Sequence, residues 1–265
     1  MVQEMLWLEN VILRRASETS MTDLQVFPDN ASFVGGSARL IADVAGGAIA
    51  ECGRFTIGLS GGGTSKPIYA RLAADYRDRI AWEKVHIFFG DERCVPPDDA
   101  RSNYRMAREA WFDHLAIPGE NIHRIHGEDD PALEALRYER EIARFYRTAA
   151  FPAFDLVLLG MGDNGHTASL FPGAAALGET ARWVVAQYVE VMATWRVTFT
   201  APLINAARHV AFLAEGAGKA QMLWNVLEGP YQPAVWPSQL IQPVSGELHW
   251  LVDAAAAAKV KAPSR

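Results

Sequence analysis

Cysteine is scarce in this sequence, with only Cys52 and Cys94 among 265 residues. Two cysteines are too few for a disulfide framework, and a chain of this length can bury a core without one. We therefore expect both to be buried, small apolar side chains in a protein of a reducing compartment, the cytoplasm.

Long apolar runs and clusters of basic residues are also missing. No run approaches the roughly 18 uninterrupted apolar residues of a membrane span, although half of the residues are hydrophobic. The formal net charge of -6 argues against a nucleic-acid or anionic-membrane surface as the partner. A small molecule is the expected ligand, and any anion site must be built locally.

Three catalytic signatures are absent as well. No His-x-x-x-His or paired-cysteine spacing suggests a metal site, so we expect no bound metal. Ser60 and Ser169 lack the Gly-x-Ser-x-Gly elbow of serine hydrolases. No Gly-Lys-Ser/Thr closes a nucleotide P-loop. Any hydrolytic base would then act on water.

The pattern along the chain predicts one α/β domain over residues 21–258. We interpret residues 1–20 as an N-terminal extension, or the result of a misplaced start codon because Met21 opens the first strand pattern, and residues 259–265 as a C-terminal tail. Short apolar runs typical of buried strands alternate with helical patterns. The predicted strands cover 22–27, 55–59, 85–89, 155–159, 183–188, 196–200, 210–213 and 248–252, and the predicted helices about 30–51, 65–79, 103–115 and 133–147.

That alternation predicts a mainly parallel sheet flanked by helices, a Rossmann-like arrangement. Ligands of such sheets bind outside the carboxyl ends of the strands. The glycine-rich and charged turns described next all follow predicted strands, so we expect them to meet at one edge of the sheet.

A glycine-rich turn follows the predicted strand 55–59. In Ser60-Gly61-Gly62-Gly63-Thr64 the backbone can approach an anion without obstruction, and the next helix adds the N–H groups and positive dipole of its first turn. The hydroxyls of Ser60 and Thr64 supply two more donors. We interpret the turn as a phosphate site, with an ordinary strand-to-helix turn as the alternative.

Two further segments end predicted strands. In Gly90-Asp91-Glu92-Arg93, the Arg93 guanidinium can bind phosphate, and Asp91 or Glu92 can orient a histidine or a sugar hydroxyl; a solvated surface turn is the alternative. His166 lies on the turn 160–167 and can titrate near neutral pH, as a general base must. A purely structural histidine is the alternative there.

These segments resemble the signature segments of the 6-phosphogluconolactonase family. The order and spacing agree along nearly the whole chain, from residue 21 to about 258. The resemblance rests on Ser60–Thr64, Gly90–Pro96 with Ser102-Asn103-Tyr104, Gly160–Gly173, Arg196–Thr200, Gly216–Ala220 and Leu248–Asp253.

The resemblance implies a fold and an activity. The fold is that of the sugar-phosphate isomerases and deaminases, with a smaller β-containing part appended to the main sheet. The activity is hydrolysis of 6-phospho-D-glucono-1,5-lactone to 6-phospho-D-gluconate in the oxidative pentose phosphate pathway, without metal or organic cofactor. The partner is then a small phosphorylated sugar lactone, and we expect a monomer.

The resemblance also implies roles for individual residues. His166 is the base that deprotonates water, with Asn164 and Asp91 beside it in the catalytic group. Backbone N–H groups near residues 162–165 are candidates for stabilising the oxyanion. The substrate and its phosphate are bound by Ser60, Gly61, Gly62, Gly63, Thr64, Arg93, Lys219 and Arg196.

One position departs from the family pattern. The family usually has Asp-Gly-His where this chain has Asn164-Gly165-His166. An amide can accept a hydrogen bond from the imidazole but supplies no charge, so we expect His166 to be a weaker base and the activity to be reduced. Asp163 or Asp91 could substitute for the missing carboxylate.

Two other functions stay open. A non-catalytic sugar-phosphate-binding protein is suggested by Asn164 alone. A glucosamine-6-phosphate deaminase would share the phosphate loop and the histidine turn, but that family usually carries tyrosine at the position of Arg93. The arginine therefore favours the lactonase.

Overall fold

The computed structural model describes residues 22–261. The predicted extension at residues 1–20 lies outside the described residues, as do residues 262–265 of the predicted tail. The strands of the described part are β1 (Thr22–Phe27), β2 (Phe55–Leu59), β3 (Val85–Phe89), β4 (Asp91–Arg93), β5 (Ile122–His123), β6 (Leu156–Gly160), β7 (Val184–Val189), β8 (Thr194–Phe199), β9 (His209–Ala214) and β10 (Glu247–Asp253). Its α-helices are α1 (Asn30–Cys52), α2 (Ser65–Asp75), α3 (Asn103–Ala110), α4 (Pro131–Tyr146), α5 (Ala201–Asn205) and α6 (Ala220–Leu227).

Seven strands form one sheet, in the order β1-β10-β9-β6-β2-β3-β5. All neighbouring pairs in it run parallel, which confirms the predicted parallel sheet flanked by helices. Every residue of β2 is buried, and so are the first four of β6. Burial on both faces explains why these segments are continuous apolar runs rather than alternating patterns.

Helix α1 packs its apolar stripe on the sheet. Asp29 caps its start by accepting a hydrogen bond from the Ser32 N–H at 2.7 Å, and Gly53 ends it with φ of 75°. By length and composition this helix could cross a membrane, and no other helix of the described residues could. Its buried side chains contact β1, β2 and β10, so the stripe belongs to the core.

The remaining three strands form a small antiparallel sheet, in the order β4-β8-β7. This sheet is the appended β-containing part that the family resemblance implies. The sequence predicted β7 and β8 as strands but did not assign their pairing. Only residues 190–193 connect them, whereas a parallel connection needs a dozen residues or more, so the pair forms a hairpin.

The other predicted elements agree with the structure to within a few residues, with two exceptions. Helix α2 ends at Asp75 instead of 79, and α3 ends at Ala110 instead of 115. After α3 the chain turns inward, where the fully buried Trp111 packs on Tyr69 and Trp82 with ring centroids 5.2 and 5.7 Å away.

The prediction of two buried cysteines was wrong. Cys52 is exposed because it is the last residue of α1, at the end that leaves the sheet, and Cys94 is only partly buried. Both are free thiols.

Candidate active site

A cleft of about 190 Å³ lies at the carboxyl ends of the parallel strands. The loop after β2, the turn after β6 and the segment beyond β9 meet there with β4 and β8 of the small sheet. All sequence-predicted site residues except Asn164 line it, namely Ser60, Gly61, Gly62, Gly63, Thr64, Asp91, Arg93, His166, Arg196 and Lys219.

Contacts within the protein fix the conformation of the glycine-rich loop. Gly62 has φ of +92°, which favours glycine, and a Cβ on Gly61 would overlap the Asn103 amide. The Tyr69 hydroxyl, on α2, donates to the Ser60 carbonyl at 2.7 Å. Since α2 starts directly after the loop, its first N–H groups are available to an anion in the cleft.

The turn that carries His166 is closed by backbone hydrogen bonds. The Gly162 N–H donates to the His166 carbonyl at 2.8 Å, and the Gly165 N–H donates to the Gly162 carbonyl at 3.0 Å. Ser238 donates both its N–H and its hydroxyl to the Gly165 carbonyl, each at 2.9 Å. A Cβ on Gly162 would overlap the imidazole, so the position of His166 requires glycine there.

These hydrogen bonds narrow the prediction that backbone N–H groups of residues 162–165 stabilise the oxyanion. The N–H groups of Gly162 and Gly165 hold the turn together by donating to backbone carbonyls. The N–H groups of Asp163 and Asn164 stay candidates for that role.

Asn164 fixes the tautomer of His166. Its Oδ1 lies 3.2 Å from the His166 backbone nitrogen and 2.6 Å from Nδ1 of the ring. A backbone N–H can only donate, so the atom facing it must be the amide oxygen. The same oxygen faces Nδ1, which must therefore carry the ring proton. Nε2 is left with its lone pair free to accept a proton.

Phe171 holds the imidazole from one face. The two rings are stacked with centroids 4.1 Å apart and planes 16° apart. The guanidinium carbon of Arg196 also lies 5.7 Å from the centroid of the Phe171 ring. Phe171 thus contacts both the imidazole and a charged group of the cleft.

His166 is neutral at physiological pH. Burial lowers the pKa of His166 to about 4; the nearby charge of Asp91 opposes this, and those of Arg196 and Lys219 reinforce it. The ring is thus unprotonated at pH 7, as a general base must be, but it is a weaker base than a free imidazole.

Asp91 is bound to its neighbours in the cleft. Its Oδ2 accepts a hydrogen bond from the Ser169 hydroxyl at 2.6 Å and lies 3.6 Å from Nη1 of Arg196. Asn103 Nδ2 lies 3.3 Å from Oδ1. No described hydrogen bond joins Asp91 to His166, so Asp91 acts on the imidazole through its charge.

Glu92 has a structural place beneath the cleft. Its carboxylate accepts hydrogen bonds from the N–H groups of Arg93, Asn103 and Tyr104 at 2.7 to 2.8 Å and from the Ser102 hydroxyl at 3.0 Å. It is buried at the N-terminus of α3, where a negative charge is favoured by the helix dipole. Four donors engage it, so it does not orient His166.

Three cations line the cleft: Arg93, Arg196 and Lys219. The Nε atoms of both arginines are buried and lack a hydrogen-bond partner among the described residues. Lys219 pairs with Asp163, whose side chain is 86% exposed. Buried donors without partners are costly unless a ligand supplies acceptors. The cleft is therefore suited to an anion.

Sequence reasoning missed two residues that shape the site, Phe171 and Asn103. Asn103 contacts the glycine loop and donates to the Asp91 carbonyl at 2.9 Å. Both lie in segments that the family resemblance marks, next to the residues chosen, but neither is a titratable group. Their contacts across the fold are what make them important.

Within residues 22–261, two groups of metal-type ligands lie outside the cleft, although sequence spacing suggested none. They are His209 with Glu247 and His249, and His126 with Asp129 and Glu134. The first group was missed because His209 lies on β9 and the other two members on β10, so spacing along the chain carries no signal for all three.

Comparisons with known proteins agree with the resemblance seen in the motifs. Residues 28–250 match the family model described as glucosamine-6-phosphate isomerases/6-phosphogluconolactonase. A 6-phosphogluconolactonase of Nostoc sp. is 45% identical over 240 residues, which cover 89% of this chain and 98% of that protein. One of Synechocystis sp. is 49% identical over 209 residues, covering 78% and 85% of the two chains.

A solved structure shares the fold. The 6-phosphogluconolactonase from Trypanosoma cruzi superposes with a TM-score of 0.82 at 30% identity, covering 92% of this chain and 99% of that chain.

Proposed function

The chain belongs to the family of glucosamine-6-phosphate isomerases and 6-phosphogluconolactonases, and we propose that His166 is the general base with which it hydrolyses its lactone substrate. The protein is an enzyme that converts 6-phospho-D-glucono-1,5-lactone to 6-phospho-D-gluconate in the pentose phosphate pathway. The observation that carries the proposed role is the free lone pair on Nε2, which follows from the Asn164 hydrogen bond to Nδ1.

The reaction then needs one proton acceptor and no covalent intermediate. Nε2 takes a proton from water while the water oxygen forms a bond to the lactone carbonyl carbon. The tetrahedral intermediate collapses by breaking the bond to the ring oxygen, and that oxygen receives the proton back from the imidazolium. The imidazole is neutral at the start and at the end of each turnover.

Cations of the cleft bind the anionic part of the substrate. The glycine loop 60–64 and the first turn of α2 supply N–H donors, while Arg93 and Lys219 supply charge. Arg196 lies beside Asp91 and Phe171 and faces the reacting end near His166. Holding the phosphate fixes the carbonyl carbon relative to Nε2, which contributes to the rate through orientation.

The experiment compares the wild type with His166→Asn on freshly generated lactone, after subtraction of spontaneous hydrolysis. We expect kcat to fall by about 100- to 10,000-fold, because general-base catalysis is lost, with KM little changed. His114→Asn, which alters an exposed histidine outside the cleft, is the matched control and should behave as wild type. Unphosphorylated gluconolactone should be a poor substrate for all three.

Three outcomes would contradict the proposal. His166→Asn with wild-type kcat would remove the histidine from catalysis. A wild type that leaves the lactone unhydrolysed but converts glucosamine 6-phosphate would be a deaminase. A wild type that binds 6-phosphogluconate without accelerating either reaction would be a sugar-phosphate-binding protein.

We further propose a cytoplasmic monomer with one catalytic domain over residues 21–258 and no metal or organic cofactor in its reaction. Two free cysteines fit a reducing compartment. The buried apolar residues of the described part form one continuous core, as expected for a single domain. Sedimentation velocity that gives a single species near 29.1 kDa would support the monomer.

A further inference from the structure

Two histidines and a glutamate meet at the amino-terminal end of the parallel strands of the large sheet, opposite the cleft. His209 and Glu247 are the first residues of β9 and β10, and His249 is the third residue of β10. The cleft lies at the carboxyl ends of the same parallel strands. A strand of six residues spans about 20 Å, so the two sites are separated by roughly the height of the sheet.

The register of the strands brings these side chains together. Glu247 pairs with His209 across β10 and β9, and His249 pairs with Asp23 across β10 and β1. Residues two apart on a strand share a face, so Glu247 and His249 point to the same side. Register partners in a parallel pair also share a face. The β9 partner of His249 is Ala211, two residues after His209, and its small side chain leaves room for the His249 imidazole.

The three potential ligand atoms form a nearly equilateral triangle. Nδ1 of His209 lies 3.2 Å from Nε2 of His249, and Oε2 of Glu247 lies 3.6 and 3.5 Å from these two nitrogens. Bonds of about 2.0–2.1 Å to a tetrahedral Zn²⁺ separate adjacent ligand atoms by about 3.3 Å. The triangle therefore has the size of one face of a zinc tetrahedron.

Burial and charge around the triangle also suit a cation. His249 is only 6% exposed, and its Nδ1 has no hydrogen-bond partner among the described residues. The Asp23 carboxylate lies 3.7 Å from that Nδ1, the place of the carboxylate that supports a metal-bound histidine. Arg208 is the cation nearby, and it is balanced by Asp155 at 3.6 Å.

We propose that His209, Glu247 and His249 bind a divalent transition-metal ion, with Zn²⁺ as the best match to two imidazoles and one carboxylate. The Glu247 side chain is 57% exposed, so solvent reaches the metal and supplies the fourth ligand. The metal connects the amino-terminal ends of β9 and β10, at the end of the sheet opposite the cleft. It raises stability by binding the folded state and leaves kcat unchanged.

The other group of ligands does not compete with this site. In the group of His126, Asp129 and Glu134, the Glu134 carboxylate accepts hydrogen bonds from Arg137 at 2.6 and 2.7 Å and from the His126 N–H at 2.7 Å. Its oxygens are already occupied. His126→Gln is therefore a matched control, since it removes a histidine from a similar cluster.

The test is titration of the metal-free, chelator-treated protein with Zn²⁺, followed by calorimetry and by the unfolding temperature. We expect one saturable ion per chain and a higher Tm, with loss of both in His209→Gln and Glu247→Gln at concentrations that saturate the wild type. Asp23→Asn should bind about 10- to 100-fold more weakly. His126→Gln and His166→Asn should bind as wild type, and kcat of the zinc-loaded protein should equal that of the zinc-free protein.

The proposal is overturned by a wild type that binds no stoichiometric Zn²⁺, or by His209→Gln and Glu247→Gln variants that bind it as tightly as the wild type. Loss of binding in His126→Gln or His166→Asn would place the ion elsewhere and would equally overturn it. Titration with Co²⁺ provides a second measurement, because a tetrahedral Co²⁺ site absorbs visible light strongly. The wild type should show this absorption, and His209→Gln and Glu247→Gln should not.

Discussion

At position 164 an amide faces the imidazole that we propose as the general base. Asn164 Oδ1 accepts the ring proton of His166 at 2.6 Å and so sets the tautomer. It brings no negative charge to stabilise the imidazolium that forms when water loses its proton. The departure from the family pattern therefore affects the strength of the base and leaves the orientation of the ring intact.

Asn164→Asp should strengthen the base. The new carboxylate raises the pKa of His166 from about 4, so the acid limb of the pH profile moves to higher pH while the plateau of kcat rises a few-fold. Asn164→Ala should lower kcat by about 10- to 100-fold, because the tautomer is no longer fixed. The measurement is kcat and kcat/KM from pH 4 to 8. An unchanged profile in Asn164→Asp, or wild-type kcat in Asn164→Ala, would contradict this account.

Asp163 precedes Asn164 on the same turn and holds Lys219 in an ion pair. Asp163→Asn frees the lysine for the substrate phosphate and should lower KM by up to about five-fold, the range expected for an exposed pair. Lys219→Ala should raise KM, and neither change should alter kcat much. Steady-state kinetics on the phosphorylated and unphosphorylated lactones separate these effects. A lower kcat without a change of KM in Asp163→Asn would refute the role in phosphate binding.

Among the elements, α3 depends on one buried side chain at its start. Glu92 accepts three hydrogen bonds from the helix N-terminus, donated by Ser102, Asn103 and Tyr104, and a fourth from the Arg93 N–H. Helix α3 in turn presents Asn103 to the glycine loop. A turn that looks solvated in the sequence is thus a buried junction between the small sheet and the glycine loop.

Glu92→Gln should lower the free energy of unfolding by about 2–4 kcal/mol, because the amide turns donors toward N–H groups and loses charge-assisted hydrogen bonds. Glu83→Gln replaces an exposed glutamate and should stay within about 0.5 kcal/mol of wild type. Urea unfolding measures both. Equal stability of the two variants would show that Glu92 does not anchor α3.

The elements that the sequence predicts are those with a strong apolar signal. β2 and β3 match their predicted bounds because all of their residues except the half-buried His86 are buried, which makes each strand a continuous apolar run. The three-residue β4 is polar, and α5 and α6 have eight residues or fewer, which is too short for periodicity to be counted. Antiparallel pairing of β7 and β8 could still have been inferred from their short connection.

For the whole molecule, a half-buried histidine links stability to pH. Burial lowers the pKa of His86 to about 4, below the value near 6.5 of an unfolded chain. As the pH falls below 6.5, the unfolded state takes up the proton first. The stability contributed by the neutral ring is present above pH 6.5 and is lost as the pH falls toward 4.

His86→Gln should therefore lose less stability than wild type between pH 7 and pH 5. The expected difference is about 1 kcal/mol, once solvent screening of this partly exposed ring is allowed for. Urea unfolding at the two pH values measures it, with His114→Gln at an exposed position as the control. Identical losses in wild type and His86→Gln would remove His86 as a source of the acid sensitivity.

Site residues that directly follow a predicted strand could be predicted from the sequence. Residues that matter through contacts between distant segments could not. His166, Arg93 and the glycine loop follow strands directly, so their convergence followed from the fold class. The triangle of His209, Glu247 and His249 depends on strand order, since β10 is last in sequence but lies between β1 and β9. No spacing along one segment encodes that.

The two sheets divide the cleft between them. The large sheet carries the glycine loop and His166, while Asp91, Arg93 and Arg196 stand on the small one. In evolutionary terms, substitutions at Arg93 and Arg196, on β4 and β8, can change which sugar phosphate is admitted while the histidine turn stays unchanged. Divergence toward a new substrate is expected to start on β4 and β8 and to reach the histidine turn last.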